Sequence, residues 1–148
     1  MRSKLLSSDE LTGVRSLNDE ADNLRRKAGY LINSLVDEFG GGYSIGGLPP
    51  MSIKKADGPD ILGEVTSGFG KGRFVMQFST EGATAKGQLI VERAILDQDG
   101  KEVWEPVLAI PLPKPLWEVD GEPISDSDKS FMLGASILHA IINGAAAE

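Results

Sequence analysis

Val14, Leu17, Ala21, Leu24, Ala28, Leu31 and Leu35 follow one another at spacings of 3, 4, 3, 4, 3 and 4 residues. With 3.6 residues per turn, that alternation holds all seven on one narrow seam of an α-helix. The flanking sequence bounds the helix. Ser7-Ser8-Asp9-Glu10 is a capping box, in which the Ser7 hydroxyl accepts from the third helical N–H and Glu10 reaches back to the Ser7 N–H. Leu6 and Leu11 stand at the positions of a hydrophobic staple. Gly40-Gly41-Gly42 is the stop signal, since glycine enters the left-handed cap conformation without a Cβ penalty. Residues 7–39 are expected to form one long helix or two nearly continuous ones, with Gly13 as a weak point that costs about 1 kcal/mol relative to alanine and invites a bend.

Such a seam has two uses. It can pack on the chain's own sheet as part of a wider stripe, or it can meet a second helix as a coiled coil. Val14, Ala21, Ala28 and Leu35 take heptad position a, and Leu17, Leu24 and Leu31 take d. Glu20 at g and Arg25 at the following e would meet across a parallel dimer. Ile32, Val36 and Phe39 add a second apolar line in the last two turns. The expectation is a split role: the last turns dock on a sheet, and the leucine–alanine seam is the interface of a homo-oligomer, most simply a homodimer.

Residues 40–112 read as a β region. Twelve of the 18 glycines lie between Gly40 and Gly87, which suggests crowded turns. The candidate strands are residues 51–55, 61–66, 73–80, 88–96 and 102–110, and Phe74, Met76 and Phe78 alternate with Val75, Gln77 and Ser79 at the strand period of two. Asp97-Gln98-Asp99-Gly100 reads as a hairpin turn. Connections this short imply antiparallel pairing, because parallel strands need long crossovers. Pro106 cannot donate to a ladder, so the last strand should be an edge or carry a bulge. Pro111, Pro113 and Pro115 then lead the chain away in extended form.

Residues 125–144 read as a closing helix capped by Ser125 or Ser127 and stopped by Asn143-Gly144. Phe131, Met132, Leu133, Ile137, Leu138, Ile141 and Ile142 make it apolar around much of its circumference. It should be buried on more than one side, between the sheet and the long helix or under a partner subunit. The fold class is α+β in a single domain: helix 7–39, an antiparallel meander of four to five strands over 51–112, and an apolar helix over 125–144.

Composition removes several functions. A chain of 148 residues suits one domain. With no cysteine there is no disulfide, thiolate zinc site or cysteine nucleophile, and a single histidine excludes a multi-histidine metal cage. Fifteen Lys and Arg against 22 Asp and Glu give a net charge of −7, which disfavours direct nucleic-acid binding. Met1-Arg2-Ser3-Lys4-Leu5-Leu6 lacks the apolar run of a secretory leader, and residues 131–142 are too short and too interrupted to span a bilayer. A cytoplasmic protein without a membrane partner is expected.

Four patterns carry candidate chemistry. Gly42-Tyr43-Ser44-Ile45-Gly46 matches a nucleophile elbow in letters, but that turn needs a strand before the serine and a helix after it. Here a helix precedes and Pro49-Pro50 follows, so a flexible glycine loop is the reading. Gly68, Gly70, Lys71, Gly72 and Arg73 combine backbone N–H groups with two cations and could hold a phosphate or other anion, or could be turn chemistry alone. They match neither a Walker loop nor a kinase loop.

The third pattern is charge. Residues 97–128 hold nine acids, Asp97, Asp99, Glu102, Glu105, Glu118, Asp120, Glu122, Asp126 and Asp128, against Lys101 and Lys114, and so carry the whole net charge. With Trp104 and Trp117 in the same segment, an acidic face with an aromatic anchor could take a basic partner, or the acids could be solvated turns with both tryptophans in the core. Fourth, His139 on the apolar helix reads as a satisfied buried or interface histidine. Asp97–Gly100 is too short for a calcium hand, and no residue pair offers an acid and a base. The expected function is a non-enzymatic, homo-oligomeric adaptor or inhibitor presenting Asp97, Asp99, Glu102, Glu105, Glu118, Asp120 and Glu122 to a basic protein. The alternative is a small-ligand module holding an anionic metabolite or nucleotide at Gly68–Arg73. No catalytic residue, metal or cofactor is assigned.

Overall fold

The computed structural model describes residues 3–82, 84–112 and 115–144. Met1, Arg2, Pro113 and Lys114, used in the leader, extended-exit and charge readings, lie outside the described residues. The first helix, α1, is Ser8–Phe39, and both bonds of its capping box form: Glu10 N–H to Ser7 Oγ at 3.2 Å and Ser7 N–H to Glu10 Oε1 at 3.0 Å. Leu6 and Leu11 both remain exposed. The stop differs from the expected cap. Gly40 is still right-handed, with φ −65°, and donates to the Val36 carbonyl; the left-handed residue is Gly42, at φ 72°.

Five strands follow: β1 (Met51–Lys55), β2 (Ile61–Ser67), β3 (Gly70–Glu81), β4 (Thr84–Leu96) and β5 (Glu102–Leu112). They pair in sequence order as an antiparallel meander, with β1 and β5 at the edges. Asp97–Gly100 is the β4–β5 turn: the Asp97 carboxylate accepts from the N–H groups of Asp99 and Lys101. Both consequences expected of Pro106 are present. Its strand is an edge, and the register slips beside it, with Val91 opposite Leu108 but Glu92 opposite Pro106. Val107 is the extra residue of that bulge, and it is buried.

Beyond β5 the chain forms a small hairpin, β6 (Glu118–Val119) and β7 (Glu122–Pro123). Its two turn residues, Asp120 and Gly121, have φ of 52° and 80°, as a type I′ turn requires. A 3₁₀ turn, Asp126–Asp128, then leads into α2 (Lys129–Asn143), so the closing helix is shorter than expected. Neither serine caps it; the Ser125 hydroxyl donates to the Asp128 carboxylate instead.

The two helices lie against one another on the same face of the sheet. Met51, Ile53, Val65, Phe74, Leu89, Val91, Ile110 and Leu112 point into that layer, where they meet Leu24, Ala28, Ile32, Leu35 and Phe39 of α1 and Leu133, Ile137, Leu138 and Ile141 of α2. Gly72 and Gly87, expected outside the strands, and Gly63, expected within one, are strand-interior residues placed where a side chain crosses. A Cβ on Gly63 would meet the Phe74 ring at 2.9 Å, on Gly72 Ile141 at 2.9 Å, and on Gly87 Leu24 at 3.1 Å. Their role is close approach, not turning. The far end of α2 is held by Arg93, whose guanidinium donates to the Ile141 and Ile142 carbonyls and to Glu105. A cation there satisfies carbonyls that have no partner within the helix and suits the negative end of its dipole.

Gly13 has no packing reason to be glycine, since nothing lies within 4 Å of an added Cβ. Gly13→Ala should stabilise the first turns of α1 by about 1 kcal/mol, slowing amide exchange around it about fivefold; unchanged exchange would contradict this.

Candidate interaction surfaces

The structure divides the heptad seam. Leu24, Ala28 and Leu35 are buried in the chain's own core, Leu31 is partly buried against it, Leu17 and Ala21 are half-covered, and Val14 is 53% exposed. Glu20 and Arg25, expected to meet across a dimer, also make contacts within the chain. The Glu20 carboxylate accepts from the Ala85 N–H at 2.8 Å, while Arg25 bonds Asp22 and lies 4.8 Å from the Phe78 ring. From Glu20 back to Ser8 the helix runs about 18 Å at ~1.5 Å per residue. Every residue from Ser3 to Ser16 is exposed, Leu11 and Val14 among them.

The acids do not form one surface. Asp97 shapes its turn, Glu102 pairs with Lys71 at 2.8 Å, and Glu105 pairs with Arg93. Glu118, Asp120 and Glu122 sit on the β6–β7 hairpin, beyond the other end of β5, roughly 30 Å away at about 3.3 Å per strand residue. Asp126 bonds Lys129 at 2.7 Å, and that ammonium, reinforced by the pair's Coulomb attraction, holds the carboxyl below its ordinary range.

The hairpin rests on the core through Trp117 and is closed by the Ile124 N–H donating to the Trp117 carbonyl at 3.0 Å. Two shallow hollows flank it. One, of about 540 Å³, is lined by Val119, Ile124, Phe131 and Met132; the other, of about 510 Å³, by Pro111, Pro115, Leu116 and Trp117; Pro123 borders both.

The Gly68–Arg73 segment is a two-residue hairpin turn, Gly68-Phe69, between paired Ser67 and Gly70. The Ser67 hydroxyl accepts from the Phe69 N–H and donates to the Gly70 carbonyl. Its cations are already engaged: Lys71 with Glu102, and Arg73 with Glu92 at 2.7 Å while stacked 4.3 Å from the Trp104 ring. Ala94, directly opposite Trp104 in the register, is small enough to let the indole lie toward Arg73. Trp104 is therefore half-buried on the helix-free face of the sheet rather than in the core.

Comparison with protein-family models, curated proteins and solved structures finds no match. The remaining candidates resolve locally. Ser44 donates to the Leu48 carbonyl at 2.7 Å, and His139, expected to be buried or at an interface, is exposed on α2. Among the described residues no cluster of three or more His, Asp or Glu could hold a metal, and no helix is long and apolar enough to cross a membrane.

Proposed function

We propose that this chain is a non-enzymatic interaction protein that self-associates through the projecting N-terminal half of α1 and offers an acidic surface to a basic protein partner, as an adaptor or inhibitor would. The observation that carries the reading is the exposure of Ser8–Ser16, about two and a half turns of α1, with Val14 prolonging the seam that Leu24 and Ala28 bury inside the chain and Leu11 beside it one turn earlier. Helical turns that pack on nothing gain little from propensity and draw their stability from burying an apolar side. The same stripe on a second copy supplies that packing in a two-fold, self-complementary contact.

Leu11→Glu with Val14→Glu tests it. Both positions are exposed, so the fold should survive, and light scattering should show the mass falling from a dimer to the 15.8 kDa monomer. A parent already monomeric at tens of micromolar (a range in which weak dimers of this kind populate), or a variant of unchanged mass, would contradict the proposal. Leu24 is no use for this test, because at 4% exposure a charge there would unfold the chain.

A further inference from the structure

The β6–β7 hairpin and the start of α2 present apolar side chains that the chain itself leaves uncovered: Leu116 is 74% exposed and Val119 41%. They border the two hollows that meet at Pro123. Residues 115–128 contain five acids and no Lys or Arg; Glu118, Glu122 and Asp128 stand exposed at the hollows, and Asp120 stands at the hairpin tip. Lys129 does not offset them, since its ammonium is held by Asp126 and lies 5.5 Å from the Trp117 ring. The floor is preorganised by the type I′ turn, the Ile124–Trp117 bond and the packing of Trp117 and Phe131 on the core.

From this complementarity we infer that the surface docks a basic amphipathic helix of another protein. Its apolar side would pack on the exposed Leu116 or Val119 and enter the hollow beside it, and Lys or Arg on the flanks would meet the acidic rim. A second copy of this chain would bring like charge to the rim, and an anionic lipid or nucleic-acid surface would be repelled. The inference rests on the reading of the chain as an interaction protein but not on its self-association.

The test uses the whole isotope-labelled chain and a synthetic peptide of about 18 residues, longer than the range in which isolated helices are marginal, built from leucine and lysine with the leucines on one helical face. A scrambled peptide of the same composition serves as control. The patterned peptide should saturate, with amide shifts concentrated in residues 115–136, and the scrambled one should bind about tenfold more weakly. Leu116→Asp, and separately Glu118→Lys with Glu122→Lys, should each weaken binding about tenfold or more. All three positions are exposed, so the amide spectrum should otherwise be preserved. Absence of saturation, shifts centred on the β4–β5 turn or the helix-free sheet face, equal binding of the scrambled peptide, or indifference to these substitutions would overturn the inference. The Leu11→Glu, Val14→Glu chain should bind the peptide like the parent, which separates failure of the groove from failure of self-association.

Discussion

Phe74→Ala should lower the unfolding free energy by about 3–5 kcal/mol, the range for emptying a buried phenylalanine site. For a domain of this size that is a fall in Tm of roughly 10–15 °C. Phe74 is fully buried on β3, the middle strand, and its ring lies over Gly63 of β2, near Ile32 of α1. The neighbour beneath the ring has no side chain with which to fill the space, so the cavity should persist and the loss fall toward the upper end. Denaturant unfolding with an unchanged m-value is the check. A loss below about 1.5 kcal/mol, as in a volume-conserving swap, would mean that the site collapses easily and that the ring is not the keystone between sheet and α1.

Gly134→Ala should cost about 1–3 kcal/mol although it adds one methyl group and improves helix propensity. The added Cβ would overlap the edge of the Phe39 ring, and Phe39 is itself buried with little room to retreat. The contact is where α1 crosses α2. If that account holds, Phe39→Leu should relieve the clash, leaving the double variant less destabilised than the sum of the two single losses. Simple additivity in thermal or chemical unfolding would show that the overlap is not the cause.

The elements were largely legible because each is marked twice. α1 has both a capping box and an apolar repeat, and β3 has both an alternating pattern and flanking glycines. What escaped was ambiguous in one dimension. Gly72 and Gly87 fall outside the expected strands because a glycine does not declare whether it bends the backbone or makes room for a neighbour. The β6–β7 hairpin is too short to show alternation, yet Val119-Asp120-Gly121-Glu122 carries an Asp-Gly pair that signals a type I′ turn. That His139 lies outside the chain's own core was legible, since Ser136, His139 and Asn143, spaced 3 and 4, trace the exposed line of α2.

The candidate surfaces were less legible. The heptad seam names the same residues whether they pack inward or outward, and its division near Ala21 depends on where the sheet ends. Likewise the acids are contiguous in sequence from Asp97 to Asp128, but the length of β5 separates them into two groups, one largely spent on turn and ion-pair roles. The lysine and arginine of the Gly68–Arg73 segment are claimed by Glu102 and Glu92, partners 31 and 19 residues downstream that no local motif reveals.

The chain has no cysteine, so a single spin-labelled Ser16→Cys reports on the projecting turns of α1 alone. In a dimer joined through those turns, with helix axes 8–10 Å apart, dipolar spectroscopy should find the two labels within about 30 Å. Absence of any intermolecular coupling at concentrations where the parent chain scatters as a dimer would contradict self-association through α1.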